Sequence, residues 1–517
     1  MASVTAPTEA FPSQPQSEFV KAMTLTDATM LVAGSMIGSG IFIVSADIAR
    51  KVESPAFLLL AWVLTGVITL LGALAYGELA AMFPRAGGQY VFLRESMGPL
   101  MGFLYGWTLF VVIQTGTIAA VAVAFGRFLG VSWPAVSPEL YSWFPSAAVC
   151  IGALGCTDPA NAITLGLSPQ RLVALISIVV LTWINLRGIR EGKFVQTTLT
   201  TVKTGALIVL TILAFTIGRN ATAVAANFSG GGFFGDVDVS GALVVAFGAA
   251  LVGSLFASDA WNNVTFAAAE VKEPQRNLPR ALVLGTGMVS LLYVLANVGY
   301  LQVLPIQGDA GAGDTIGRGI ANATQDRVGT AAMEVMFGAS GATIMAIAIL
   351  ISTFGCNNGL ILAGARVYYA MARDGLFFRK AGVLNANRVP AAALVLQTVW
   401  TAALCLTGTY GQLLNYVVFA ALVFYVLTTI GLFILRARRP DIHRPYRAVG
   451  YPVLPAVYIG LAAAVMILIL LSPTSRTEAV SGLVLVLLGV PVYWLWRKVE
   501  GNMPPPPAVA THAIPRA

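Results

Sequence analysis

The sequence predicts an all-α polytopic membrane protein with twelve transmembrane helices, and two observations carry that prediction. Hydrophobic residues make up 57% of the 517 and charged residues only 10%, with a mean hydropathy of +0.79; a soluble domain carries about 25% charged residues. Uncharged apolar runs near the roughly 20 residues that cross a hydrocarbon core begin near Leu25, Ala56, Leu100, Leu172, Thr198, Gly241, Ala281, Val335, Ala391, Gln412, Val453 and Glu478. Ala56 to Ala75 is the cleanest, without a single charge. These runs are continuous, whereas barrel strands alternate in polarity over about ten residues. The spanning elements are therefore helices, which satisfy their own backbone hydrogen bonds in lipid.

Basic residues orient the bundle. Of the 31 Lys and Arg, 22 fall in the connections on the side of both termini, eight on the other side, and Lys203 lies inside the fifth span. That bias predicts cytoplasmic termini. The basic residues are spread over several segments instead of forming one stripe, so no nucleic-acid partner is expected. Residues 1–22 are polar and lack the basic flank and Ala-x-Ala exit of a cleaved signal; they read as a disordered cytoplasmic tail, and 499–517, with its proline run, as a second.

Histidine and cysteine are scarce. His443 falls in a loop and His512 in the tail, so no histidine lies within a span to hold haem, copper or zinc. Neither an enzyme nor a cofactor is expected. Cys150 and Cys156 share the long external loop and form either a local disulfide or two separate thiols. Cys356 and Cys405 read as small packing residues within spans.

The few polar groups within the spans must carry the function. Gly34-Ser35-Met36-Ile37-Gly38-Ser39-Gly40 interrupts the first span, although each interior glycine costs a helix on the order of 1 kcal/mol. If the helix unwinds from Met36 to Gly40, the amides of Ser39, Gly40 and Ile41 become the positive N-terminus of a second half-helix and suit a carboxylate. The carbonyls ending the first half suit an ammonium. Phe256-Ala257-Ser258-Asp259 in the sixth span offers the same pair of surfaces, and together the two breaks suit an amino acid zwitterion. Competing readings are a GxxxG packing face for Gly34 and Gly38, an N-cap role for Asp259, and snorkelling of Lys203 to the interface.

GSMIGSGIF, AYGELAAMFPRAGGQYVFL, LFASDAWNNVTFAAAEVKEPQRNLPRAL, STFGCNNGLILAGARVYYAMARDGLF and RPDIHRPYRAVGYPVLP, in that order, resemble the amino acid-polyamine-organocation superfamily. Within it the likeness is to the L-type amino acid transporters and their bacterial relatives. The resemblance implies the leucine-transporter fold: inverted repeats over 23–217 and 218–436, the first helix of each broken at the midplane, followed by two further helices over 437–498. It places the substrate carboxylate on the amides of Ser39, Gly40 and Ile41, with Gly38 at the break. It places the ammonium on carbonyls near Met36 and Ile37 and around Phe256, Ala257 and Asp259. Phe256 matches the aromatic that closes over substrate from outside, and Lys203 the lysine standing where sodium-coupled relatives bind an ion.

A fixed ammonium at that position argues against sodium coupling and leaves exchange or proton symport; the resemblance tips the choice toward exchange. The expected substrate is a neutral L-amino acid. Relatives commonly carry Tyr and Gly where this chain has Ser258 and Ala260, which points to altered selectivity at Ser258. Glu78, Arg85, Glu270 and the VKEPQRNLPRA loop supply charges for an inner gate or for membrane-surface anchoring. A channel filter is absent from the sequence, and a membrane amino acid sensor is the alternative from another class. The inner membrane of a bacterium is the expected location, and a bacterial member would not pair with the heavy-chain-type glycoprotein of animal relatives.

Overall fold

The protein is described here from a computed structural model, over residues 19–136, 147–149, 163–235, 240–407, 410–473 and 475–500. The first span is two helices, α1 (Leu25–Met36) and α2 (Gly40–Val52). Helix α3 (Pro55–Met82) returns across the bundle and is followed by the short α4 (Gln89–Met97). The third span joins α5 (Pro99–Thr108) and α6 (Gln114–Ser132) through one π-turn, Leu109–Ile113. Then come α7 (Pro169–Leu186), α8 (Ile189–Thr216), α9 (Ala221–Phe228), α10 (Gly241–Ala257), the single turn α11 (Asn263–Phe266), α12 (Pro274–Val303), the turn α13 (Thr315–Arg318) and α14 (Val328–Arg373). Four helices close the chain: α15 (Ala391–Thr407), α16 (Tyr410–Arg438), α17 (Val453–Leu471) and α18 (Arg476–Glu500). One antiparallel strand pair, β1 (Ala147–Val149) with β2 (Ile163–Leu165), lies in the loop after α6.

Ten of these spans are long and apolar enough to cross a bilayer; Gly241–Ala257 and Ala391–Leu406 are shorter apolar helices. Gly241–Ala257 is short because the sixth span stops at its break. Local chemistry starts the helices as the sequence leads one to expect. Thr24 and Asp27 form a capping box at α1, Ser54 precedes Pro55 at α3, Ser168 precedes Pro169 at α7, and Ser240 caps α10.

The broken spans occupy the centre. The apolar window of the first is 89% buried, against 28% for Val453–Leu471 at the periphery, where side chains such as Ile467 and Leu471 point outward to the face that lipid covers. Ile37 leaves helical geometry at ψ 89°, and α2 restarts after Ser39. The second break runs from Ser258 to Asn262, with Ala260 held at φ +61°.

Three glycines of the first break answer to three different neighbours. A methyl on Gly40 would stand 2.5 Å from the Ala257 Cβ and 2.8 Å from its Cα, so the bare backbone lets the two breaks touch. Gly34 faces Gln196 and Thr200 of α8, while Gly38 faces Cys356 of α14. A GxxxG pairing with one helix is therefore not what this spacing builds.

Two expectations are revised. The apolar run that holds Lys203 begins near Thr198 in the sequence, but α8 begins at Ile189, placing the lysine about 21 Å along the helix by the 1.5 Å rise, near its middle. The N-terminal tail was expected to extend to residue 22, yet Phe19 packs against Tyr369 with ring centroids 4.9 Å apart, and Met23 pairs with Val271. An aromatic anchor and two backbone bonds, from the Met23 amide to the Glu270 carbonyl and the Lys272 amide to the Met23 carbonyl, order this strap. Cys150 and Cys156 lie outside the described residues, as does the C-terminal tail from residue 501.

Gly40→Ala is expected to lower the thermal stability of the purified protein by about 1–3 kcal/mol, the usual range for overpacking a filled core; a melting curve unchanged from wild type would show that the breaks do not meet at this point.

Candidate functional site

The first break is held from three sides. The Lys203 Nζ, from α8, donates to the Gly34 and Ile37 carbonyls at 2.6 Å each and to the Ser352 carbonyl of α14 at 3.3 Å. Three acceptors match the three N–H bonds of an ammonium, placed where the end of α1 concentrates negative dipole. The Ser352 hydroxyl donates to the Gly38 carbonyl at 2.9 Å, and the Cys356 thiol to the Ser35 carbonyl at 3.0 Å. Lys203 is 1% exposed, so its side chain turns inward and does not snorkel.

Tyr293 of α12 joins the two breaks. Its hydroxyl lies 3.0 Å from the Met36 carbonyl and 3.1 Å from the Ala257 carbonyl, and its one proton serves one of them at a time. Met36 and Ile37, expected to offer carbonyls to an ammonium, thus already bond to Tyr293 and Lys203; the Ile37 oxygen also faces the Ser352 hydroxyl at 3.2 Å, and the Met36 oxygen has a second lone pair. The first turn of α2 presents the amides of Gly40 and Ile41, beyond reach of any carbonyl within the helix. The Phe42 amide returns to the Ser39 carbonyl at 3.1 Å.

At the second break, Phe256 and Ala257 end α10 and Ser258 caps it, all three buried. Asp259 does not cap α11, whose N-cap position is Asn262. Its Oδ1 instead accepts the Tyr425 hydroxyl of α16 at 2.5 Å. Polar bonds continue from there: the Asn262 Nδ2 donates to Gln89 Oε1 at 2.7 Å, and the Gln89 Nε2 to Thr428 Oγ1 at 3.0 Å.

Two cavities meet at Asp259, Ala421 and Tyr425. One lies behind the second break among α3, α10, α16 and α17 and is lined by Thr69, Ser258, Trp261 and Tyr458 among others. The other opens toward α5, α6 and α14 beside Tyr105, Gln114, Thr117 and Asn263. Met36, Ile37, Gly38, Ser39, Gly40 and Ile41 are buried against the second break and line neither cavity in this conformation.

The end of the bundle carrying most basic residues is closed by charge pairs. Glu270 meets Arg366 of α14 at 3.0 and 3.2 Å, both side chains 1% exposed. Glu78, fully buried at the end of α3, takes Arg436 at 2.5 and 2.9 Å and the Ala448 amide at 2.7 Å, with Arg444 at 3.3 Å. Arg94 of α4 pairs with Asp374. Burial works against the Arg94 charge, and Asp374, Tyr90 and Glu95 together outweigh it and lift the guanidinium above its ordinary range.

Both candidate gate acids thus find arginines that sequence reasoning did not assign to them. Arg85 and the VKEPQRNLPRA loop were the expected source of partners; the structure supplies Arg366, Arg436 and Arg444 instead. Arg366 had a legible signal, since it continues an apolar helical stretch. Tyr293, Ser352 and Tyr425 had none, because a lone hydroxyl in an apolar helix shows nothing of what it faces.

Comparison with known proteins agrees with this architecture. The amino acid permease family model matches residues 23–493. The b(0,+)-type amino acid transporter 1 of Mus musculus is 28% identical over 483 residues, covering 92% of this chain and 88% of that protein. The large neutral amino acids transporter small subunit 2 of Homo sapiens is 30% identical, over 92% of this chain and 80% of its own length. The Asc-type amino acid transporter 1 of Rattus norvegicus is 28% identical, with 92% and 82% covered.

Removing one partner of the buried Glu270–Arg366 pair strands the other charge, at a cost of about 3–5 kcal/mol. Glu270→Gln and Arg366→Gln should each lower the melting temperature clearly, and the double variant should lose less than the sum of the two; additive losses would show that the pair is not coupled.

Proposed function

Because the chain belongs to the amino acid permease family, we propose that it is a sodium-independent secondary transporter of neutral L-amino acids that works by alternating access, with exchange as its mode. Its family and relatives are transporters, and it is a multi-pass membrane protein, not an enzyme. The observation that carries the finer reading is the Lys203 ammonium on the carbonyls of Gly34 and Ile37, where it occupies the cradle that a metal cation would need. Loss of its proton would leave three carbonyls facing two N–H bonds and a lone pair. That favours a lysine that stays charged through the cycle, and exchange over proton symport through Lys203.

In this reading the amides of Ser39, Gly40 and Ile41 take the substrate carboxylate once the breaks separate, and carbonyls at Met36, Ile37, Phe256 and Ala257 take its ammonium. Phe256 closes over the bound molecule. Glu78 and Glu270 gate the basic end, which faces the cytoplasm of a bacterial cell with both termini. Residues 23–217 and 218–436 form the two inverted repeats, whose broken helices meet at Gly40 and Ala257.

Proteoliposomes preloaded with unlabelled amino acid should take up labelled neutral amino acid faster than empty ones, equally in sodium and in choline. Strict sodium dependence would overturn the role given to Lys203. Lys203→Met, which bares the Gly34 and Ile37 carbonyls, is expected to cut exchange at least about tenfold, in line with the cost of orphaned buried acceptors; wild-type rates in that variant would also remove its role.

A further inference from the structure

Tyr293 joins the two breaks with one proton too few. A helix that stops leaves its last carbonyls without partners of its own, and at the end of α1 most of them take donors from neighbouring helices. Gly34 is served by Lys203, Ser35 by Cys356, Gly38 by Ser352, and Ile37 by both Lys203 and Ser352. At the second break the Phe256 carbonyl takes the Asp259 amide at 3.1 Å. The Met36 and Ala257 carbonyls depend on the Tyr293 hydroxyl, at 3.0 and 3.1 Å, and among the described residues no other donor reaches either oxygen. Whichever of the two the single hydroxyl proton serves, the other stands buried without a donor, a costly state inside a membrane.

The ring that carries this hydroxyl is fixed in place. Tyr293 is 1% exposed and meets the Trp62 ring edge-on at 5.3 Å. Helix α12 packs against both α1 and α3, so the hydroxyl stays between the two interrupted helices. Phenylalanine at this position would keep the ring and remove only the donor.

We infer that Tyr293 is a positioning residue of the transport cycle: it holds the Met36 and Ala257 carbonyls together as an acceptor pair one donor short, and the substrate ammonium supplies the missing donor. The inference deepens the exchange reading above, rests on it, and narrows its ammonium site to these two carbonyls. An ammonium brings three N–H bonds, enough for the carbonyl that Tyr293 leaves. The closed bundle is then fully bonded when loaded and one bond short when empty. That deficit slows the return of the empty carrier and gives exchange a physical basis.

The test compares uptake of labelled leucine by the full chain in leucine-preloaded and in empty proteoliposomes. Wild type should show a ratio above one. Tyr293→Phe leaves both carbonyls without a donor in the empty carrier, while an ammonium still reaches them in the loaded one. Its preloaded-to-empty ratio should therefore rise at least about fivefold over wild type, the low end of what one orphaned buried acceptor costs, with exchange itself largely kept. Equal losses in both conditions would overturn the inference, since Tyr293 would then serve the structure alone. A second measurement keeps the hydroxyl: with meta-fluorotyrosine in place of Tyr293, the fluorine resonance of the purified protein should shift with leucine and stay with isocaproate, which is leucine without its amino group. A resonance that ignores leucine, or that answers isocaproate equally, would overturn the inference as well. Wild type with a ratio of one would overturn the exchange reading itself, a failure recognised without any variant.

Discussion

The arrangement of the centre depends on one buried ammonium. A helix interrupted within a membrane exposes carbonyls that lipid cannot satisfy, and in this protein Lys203 satisfies Gly34 and Ile37 from a neighbouring helix. The charge is in turn tolerable only because those carbonyls, with that of Ser352, surround it. Break and lysine thus stabilise each other, and neither has a physical reason to persist without the other. From the break follow the close approach of Gly40 to Ala257 and the reach of Tyr293 to both interrupted helices.

Around that centre, polar groups divide by depth. In the middle, beside the Lys203 ammonium, they are backbone groups, hydroxyls and carboxamides with one carboxylate among the described residues, Asp259, a surface suited to a small polar molecule held by hydrogen bonds. At the basic end they are full charges in pairs, Glu270 with Arg366 and Glu78 with Arg436 and Arg444. The paired acids are almost wholly inaccessible, so the pairs must separate or move as units if that end opens. Such pairs set a conformation more than they add stability, because desolvation consumes most of their attraction. The strap from Phe19 to Met23 adds backbone bonds to the same region and ties it to Glu270 and Lys272 at the end of the sixth span.

The membrane class, the positions of the helices, the two breaks and the family were legible in the sequence. Apolar length, basic bias and glycine content are local properties, and the membrane imposes strong constraints on each. GSMIGSG announced its break because glycine and serine in a span need a reason, and FASDAW did so by placing a carboxylate in another. Lys203 stood out for the same cause. Glu78 and Glu270 were recognisable as charges near span ends.

Only the tertiary structure decided what each of these groups faces. Asp259 could be an N-cap on sequence grounds, and the fold turns it to Tyr425 and two cavities. Gly34 and Gly38 could be one packing face, and the fold sets them against α8 and α14 separately. The partners Arg366, Arg436, Tyr293 and Ser352 lie tens to hundreds of residues from the groups they bond, beyond any local pattern. The physical reason is common to all of them: the cost of an unsatisfied polar group in a membrane is written in the sequence at the group itself, while its remedy comes from whichever helix the packing brings alongside.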